Sequence, residues 1–303
     1  MTYRRVTQLI GSRLFLDVSR DTGKSILVAG TARSGTTWLA ELIASQLPCR
    51  MMFEPFHPEL VGEYRSYHYF QYMRPGDDEE VLHAFARKVF SGEIHNRWID
   101  RKNETILPHW RVVKEIRGNL LLKWLHDRFP EVPLLFLIRH PCAVVLSRME
   151  LGWATDRDIA PFLAQPKLIA DHLGDYVEFI QKAGSDEEKH AIIWCVSNLV
   201  PLKQFKPGEL KPVYYEDLCE EPEKTLCAVM QAIEQGDRRI HSLKADRPSS
   251  TCSPSSSVMR GEDKISRWKE VLPAQQISRI MKVVSEFGMD VLYDESPFSL
   301  NSW

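Results

Sequence analysis

The sequence predicts an α/β protein: a single domain whose mostly parallel sheet is flanked by helices on both faces. Three observations lead there. Five short apolar runs, at 25–29, 51–53, 111–116, 133–138 and 212–215, alternate with segments of helical composition, the pattern of strand, crossover helix and parallel strand. The first run leads into a glycine-bounded loop, Gly30 to Gly35, followed by a helical stretch over about Thr36–Gln46, which reads as strand, tight loop, helix. Finally, 303 residues with 44% apolar and 26% charged side chains are enough for one large core and lie outside disordered or fibrous compositions. The domain is expected to span 1–303, with its core at about 25–290 and a flexible, serine-rich segment at 248–257. In a sheet covered on both faces, the ligand site lies beyond the carboxyl ends of the strands.

Composition narrows the function. Lys and Arg number 39 against 41 Asp and Glu, so no overall field exists to hold a nucleic acid, and any anion must be bound by local groups. The longest apolar runs, at 134–138 and 191–196, fall far short of the roughly 20 residues of a membrane span. Residues 1–20 carry Arg4, Arg5, Arg13 and Arg20 among apolar positions without a secretory core, and read as a leader strand or short helix. The six cysteines are scattered with no C-x-x-C pair, which points away from a disulfide framework or zinc site and toward a cytoplasmic setting.

Each element then suggests a role. The loop Gly30-Thr31-Ala32-Arg33-Ser34-Gly35-Thr36-Thr37 aims successive backbone N–H groups and a positive helix end at one spot, a ready phosphate site. Its glycine spacing matches the nucleotide-triphosphate loop, but Thr36 stands where that loop needs lysine. A P-loop kinase or NTPase is therefore the alternative reading, and it lacks its main cation. After the fourth run comes Arg139-His140-Pro141, with Ser147 two helical turns on; Pro141 suits a first turn, and one phosphate could be gripped by Arg139 and Ser147 together. The acidic runs 77–80 and 186–188 read as helix starts. The aromatic segment 64–72 is either a packed cap or a substrate-facing wall, and 64–74 with 152–175 are the loops expected to set acceptor specificity. The 248–257 segment reads as a flap leading into Arg260 and Gly261.

Taken together, these segments resemble the sulfotransferases that use 3′-phosphoadenosine-5′-phosphosulfate (PAPS). TARSGTTWL resembles that family's 5′-phosphosulfate loop and IRHPCAVVLSR its 3′-phosphate motif; VYYEDL followed by EEP, and MRGEDKISRW, resemble two further segments in the same order. The resemblance spans about residues 25–270. It implies a P-loop-like sulfotransferase fold, PAPS as donor, 3′-phosphoadenosine-5′-phosphate (PAP) as product and no required metal. The donor-binding residues it implies are Arg33, Ser34, Gly35, Thr36, Thr37, Trp38, Arg139, Ser147, Tyr215, Arg260 and Gly261. Phe53-Glu54-Pro55-Phe56-His57 is similar to the F-E-P segment of the carbohydrate O-sulfotransferases. The phenol and steroid branch differs, with lysine where Arg33 stands and a histidine base in a stretch that here reads Lys114-Glu115-Ile116.

Sulfuryl transfer runs in line, so positioning and charge stabilisation carry most of the catalysis. Arg33 is expected to neutralise charge on the departing phosphate. Glu54 is the expected base, its pKa raised by burial beside Phe53, Pro55 and Phe56, with His57 and Glu115 in reserve. A structural ion pair is the other reading of Glu54. The acceptor is expected to be a hydroxyl of a carbohydrate, glycolipid or other small metabolite, with no nucleic acid partner. A non-catalytic PAP-binding module is the remaining alternative.

Overall fold

The computed structural model describes residues 12, 14–210, 212–233, 249–251 and 263–300. Five strands, β1 (Ser25–Gly30), β2 (Cys49–Phe53), β3 (Trp110–Glu115), β4 (Leu134–Ile138) and β5 (Pro212–Tyr214), form one sheet in the order β2-β3-β1-β4-β5. Every neighbouring pair is parallel. All five lie on the apolar runs read from the sequence.

The strands read as continuous apolar runs because both faces are covered. Along β1, Ile26 and Val28 join Leu135, Leu137 and Met51 on one side, while Leu27 and Ala29 join Phe136, Ile138 and Met52 on the other. Helices α1 (Thr36–Gln46) and α2 (Glu80–Phe90) lie on opposite faces, α1 on the first side and α2 on the second. They are followed by α3 (Leu122–Arg128), α4 (Pro141–Met149) and α5 (Asp156–Leu163). The long α6 (Asp186–Gln204) is buried nearly all round. Its start carries a capping box in which the Ser185 hydroxyl accepts from Glu188 N and Glu188 accepts from Ser185 N, so the acids at 186–188 begin a helix as expected. Helices α7 (Tyr215–Glu220), α8 (Pro222–Ala232) and α9 (Ala274–Glu286) complete the layers.

Winding reverses at β1. The chain leaves it toward β2 on one side, and β3 then crosses over to β4 on the other, so a crevice opens where the two directions part. The aromatic segment takes no part in it: Tyr64, Phe70 and Tyr72 are buried in the core under Phe56 and Phe85, the packed-cap reading. Of the expected flap, residues 249–251 are described, and they are docked. Ser250 N donates to the Glu41 carboxylate at 3.1 Å and Ser250 O accepts from Lys102 at 3.0 Å. The rest of 248–257, with Arg260 and Gly261, lies outside the described residues. Among the described residues, Cys142, Cys195, Cys219 and Cys227 are free thiols.

The opposite end of the sheet is held by buried charge. Arg50 and Arg111 are register partners on β2 and β3. Asp17 accepts two 2.8 Å hydrogen bonds from Arg111 and one of 3.3 Å from Arg50, while Asp100 accepts from Arg50 at 2.9 Å. Carbonyls of Gly92 and Phe90 take further guanidinium protons. Two adjacent buried cations are tolerable only with both acids present, and this ties the segment before β1 to the sheet. Asp17→Ala is expected to cost about 3–5 kcal/mol, as for a broken buried pair, in urea unfolding; a loss below about 1 kcal/mol, typical of exposed pairs, would contradict it.

Candidate functional site

A cleft of about 410 Å³ opens at the carboxyl ends of the strands, and all five contribute to its wall. Arg33 follows β1, Glu54 follows β2, Lys114 closes β3, Arg139 follows β4 and Tyr215 follows β5.

The loop after β1 is shaped by two close approaches. A Cβ on Gly30 would collide with the carbonyl oxygen of Leu137, and one on Gly35 would sit 2.5 Å from the Tyr215 ring. Gly35 also has φ +98°, where a side chain is strained. The loop can therefore lie against β4 and α7 only as glycine at these positions. Gly35 caps α1 without a side-chain hydrogen bond, so the first-turn N–H groups keep their donor capacity. From this loop the Arg33 Nε donates to Ser147 Oγ at 3.0 Å, bridging to α4. Arg139 donates to the carbonyls of Arg33 (3.1 Å) and Lys264 (2.8 Å), and its guanidinium lies 4.1 Å from the Tyr215 ring centre. Trp38 meets that ring edge-on at 5.7 Å. The Nε of Arg139 and the Nε1 of Trp38 are buried with no hydrogen-bond partner among the described residues. Orphaned donors, guanidinium groups and aromatic faces on one wall fit a phosphorylated adenosine.

Among the described residues, seven basic side chains line the cleft, Arg33, Arg101, Lys114, Arg117, Arg139, Lys264 and Arg267, against the carboxylates of Glu54 and Glu150. The chain as a whole carries −2, so positive charge is gathered here from a balanced surface. Glu54 sits at the centre of one group. Its Oε1 lies 2.5 Å from Lys114 Nζ and its Oε2 is paired with Arg117. Its backbone is held by Glu54 N to Lys114 O (2.8 Å) and Trp98 Nε1 to Glu54 O (3.2 Å). Burial alone would raise its pKa, but the two cations outweigh burial and hold it at about 2. The expectation of a raised pKa is thus corrected: the burial is present, and so are two contacting positive charges. Among the described residues, three that are not glycine have left-handed backbones, and two of them are Arg33 (φ 76°) and Glu54 (φ 49°). Such strain costs about 1–3 kcal/mol each and gathers at functional sites.

The model of the sulfotransferase family matches residues 25–235. The chain belongs to that family. No functionally curated protein matches the sequence. Among solved structures, the sulfotransferase domain of the Synechococcus olefin synthase is similar over 89% of this chain and 95% of its own, at 14% identity and TM-score 0.45. A sulfotransferase domain from the curacin biosynthetic pathway is similar over 87% and 97%, at 17% identity and TM-score 0.41. A sulfotransferase from Alicyclobacillus acidocaldarius is similar over 87% and 98%, at 11% identity and TM-score 0.39.

In this sulfotransferase the cleft wall includes Arg33, Gly35, Thr36, Thr37, Trp38, Arg139, Ser147 and Tyr215 together with Glu54. Ser34 does not reach it: its side chain is fully buried, and its N–H closes the turn onto Thr31 O at 3.0 Å. The reserve bases are also off the wall. His57 packs edge-on against Trp98 and Tyr69, and burial, aided by Arg117, lowers its pKa to about 4. Glu115 accepts from the backbone N–H groups of Phe56, Ile116 and Arg117 at 2.8–3.0 Å, bracketing the F-E-P turn to the exit of β3. Glu216 likewise takes His140 N (2.9 Å) and the Tyr293 hydroxyl (2.8 Å), steadying the segment that carries Arg139.

Sequence reasoning did not single out Trp98 and Arg101, at the short helix Ile99–Lys102, or Lys264 and Arg267, although the last two lie within the MRGEDKISRW segment that carries part of the family resemblance. The sequence left Lys114 open between contact with substrate and a surface ion pair among Trp110, Arg111 and Arg117; in the structure Lys114 and Arg117 both pair with the buried Glu54. Of the two expected specificity loops, 64–74 contributes nothing to the cleft and 152–175 contributes Trp153.

Two outcomes follow. A carboxyl whose folded pKa lies near 2, below its ordinary 4.5, adds stability that is complete above pH 4.5 and is lost as pH falls through 2. The stability gap between wild type and Glu54→Gln in urea is therefore expected to shrink as pH drops across that window, and a constant gap would contradict the pairing. Gly35→Ala is expected to lose about 1–3 kcal/mol from the left-handed position, with further loss from the Tyr215 collision, by the same measurement.

Proposed function

We propose that this sulfotransferase transfers a sulfuryl group from PAPS to a hydroxyl of a small acceptor, releasing PAP. One observation carries the reading: the loop after β1 and the Arg139–Ser147 segment after β4 border one strongly basic cleft and are joined by the Arg33–Ser147 hydrogen bond. Bound there, the donor would supply an electrophilic sulfur on a phosphosulfate. Gly35, Thr36 and Thr37 would meet its 5′ end, Arg139 and Ser147 its 3′-phosphate, and Tyr215 and Trp38 the adenosine. Arg260 and Gly261 join the 3′ side on the strength of the family resemblance.

Glu54 is the carboxylate on the wall best placed to take the acceptor proton. In the step, the acceptor oxygen forms a bond to sulfur while the bridging sulfur–oxygen bond breaks. The electron pair stays on the phosphate oxygen, where Arg33 stabilises it, and the hydroxyl proton passes to Glu54. Phe53, Trp98 and Trp153 give the cleft aromatic surface, which with the F-E-P segment favours a carbohydrate or glycolipid hydroxyl. Unpaired thiols suit a cytoplasmic setting.

The test pairs PAP calorimetry with labelled PAPS and a panel of alcohols, phenols, sugars and glycolipids. Arg33→Ala is expected to lower kcat about 10²–10³-fold and Glu54→Gln about 10²–10⁴-fold. Arg139→Ala should weaken PAP at least about tenfold, the effect of losing a charge-assisted hydrogen bond. Chelators should leave turnover unchanged. Magnesium-dependent ATP turnover would favour the NTPase alternative, and tight PAP binding with no product the non-catalytic one.

A further inference from the structure

The base of the proposed reaction is occupied before any substrate arrives. Lys114 holds one carboxylate oxygen of Glu54 at 2.5 Å and Arg117 holds the other, with side chains 5%, 3% and 19% exposed for Glu54, Lys114 and Arg117. All three line the cleft with Arg33. A carboxylate clasped this way is a poor proton acceptor, because accepting a proton leaves two neighbouring cations without their counter-charge.

We propose that Lys114 and Arg117 exchange partners when the donor's sulfo group enters, leaving Glu54 for the sulfo oxygens, so that the base is released to the acceptor hydroxyl only in the donor-loaded protein. The inference rests on the PAPS reading above. Both cations are built for the exchange. The Lys114 ammonium has three donors on a flexible stem, and it lines the cleft beside Phe53, 4.5 Å from the ring centre. Arg117 is partly exposed and carries a fork that matches a three-oxygen anion.

The other charged groups facing Glu54 do not substitute for them. From the exit of β3, Glu115 is consumed by three backbone N–H groups. From the turn after β2, His57 is neutral at physiological pH, with its pKa near 4. From the short helix Ile99–Lys102, Arg101 is stacked 3.5 Å from Trp98 and 4.1 Å from Phe53. Lys114 and Arg117 therefore decide the basicity of Glu54. When the sulfo group takes them, the proton lost by the acceptor oxygen has a carboxylate able to receive it as the oxygen–sulfur bond forms. After PAP and product leave, Glu54 gives that proton to water and pairs with the two cations again. Lys114 and Arg117 act here through Glu54, which makes donor-first addition a property of the fold.

The experiment follows the Glu54 carboxyl by NMR in protein carrying ¹³C at glutamate side-chain carboxyls, with Glu54→Gln assigning the resonance. Three samples are titrated: free protein, protein with PAP, and protein with a PAPS analogue whose scissile oxygen is replaced by methylene. Free and PAP-loaded protein should show no Glu54 titration above about pH 3.5, whereas the analogue should raise the midpoint above that pH, more than a tenfold gain in proton affinity over a carboxyl held at about 2. In Arg117→Met and Lys114→Met the midpoint should already be raised in the free protein, and the analogue should shift it less. Because Arg117 is partly exposed, its variant keeps the test available if Lys114→Met fails to fold. Should calorimetry show the analogue bound while Glu54 stays silent above about pH 3.5, the exchange is overturned and the donor reading stands. Should neither PAP nor analogue bind, the donor reading fails, and the exchange with it.

Discussion

Like charges gathered in a confined space repel, and the cleft of this protein collects seven basic side chains with two carboxylates among them. Much of the surrounding structure serves to hold that arrangement. Arg139 is fixed by the carbonyls of Arg33 and Lys264 and by the face of Tyr215. The segment carrying it is steadied through Glu216, Tyr293 and the stacking of His140 on Trp268 at 4.3 Å. Lys114 and Arg117 are held by Glu54. Each guanidinium or ammonium group is thus aimed by acceptors that leave donor capacity over, which is the electrostatic preorganisation an anionic ligand needs.

The same balance explains why the strained backbone is where it is. Arg33 and Glu54 hold left-handed conformations that glycine would adopt at no cost. Glycine at either position would remove the guanidinium that reaches Ser147 or the carboxylate that pairs with Lys114. The strain is sustained by rigid surroundings: β1 and β3 are register neighbours with both faces buried, and the far end of the sheet is locked by Asp17, Asp100, Arg50 and Arg111.

Much of the fold was legible in the sequence. The five strands and α1 were visible because strands buried on both faces are predominantly apolar, with the buried charges of Arg50, Arg111, Lys114 and Glu115 paired or hydrogen-bonded, and because Gly30 and Gly35 punctuate the turn. Pro141 and the acids at 186–188 marked helix starts through local backbone chemistry. The site was legible only in part. Arg33, Arg139 and Ser147 belong to contiguous segments whose spacing carries information. Trp98 and Arg101, at the short helix Ile99–Lys102, meet Lys264 and Arg267 across a long sequence separation, and that convergence cannot be read from either segment alone.

The sequence by itself determined the class of sheet, the glycine-bounded loop with Thr36 in place of lysine, and the family, because these depend on short-range pattern: apolar periodicity, glycine placement and residue order. Only the tertiary structure decided the ionic state of Glu54, the retreat of His57, Glu115 and Ser34 from the cleft, and the packing of Tyr64, Phe70 and Tyr72 into the core. Those outcomes depend on which charges and surfaces meet across the sheet. Burial beside Phe53 could be read from neighbouring residues, but the cations sixty positions away that overrule it could be placed only once β2 and β3 were paired.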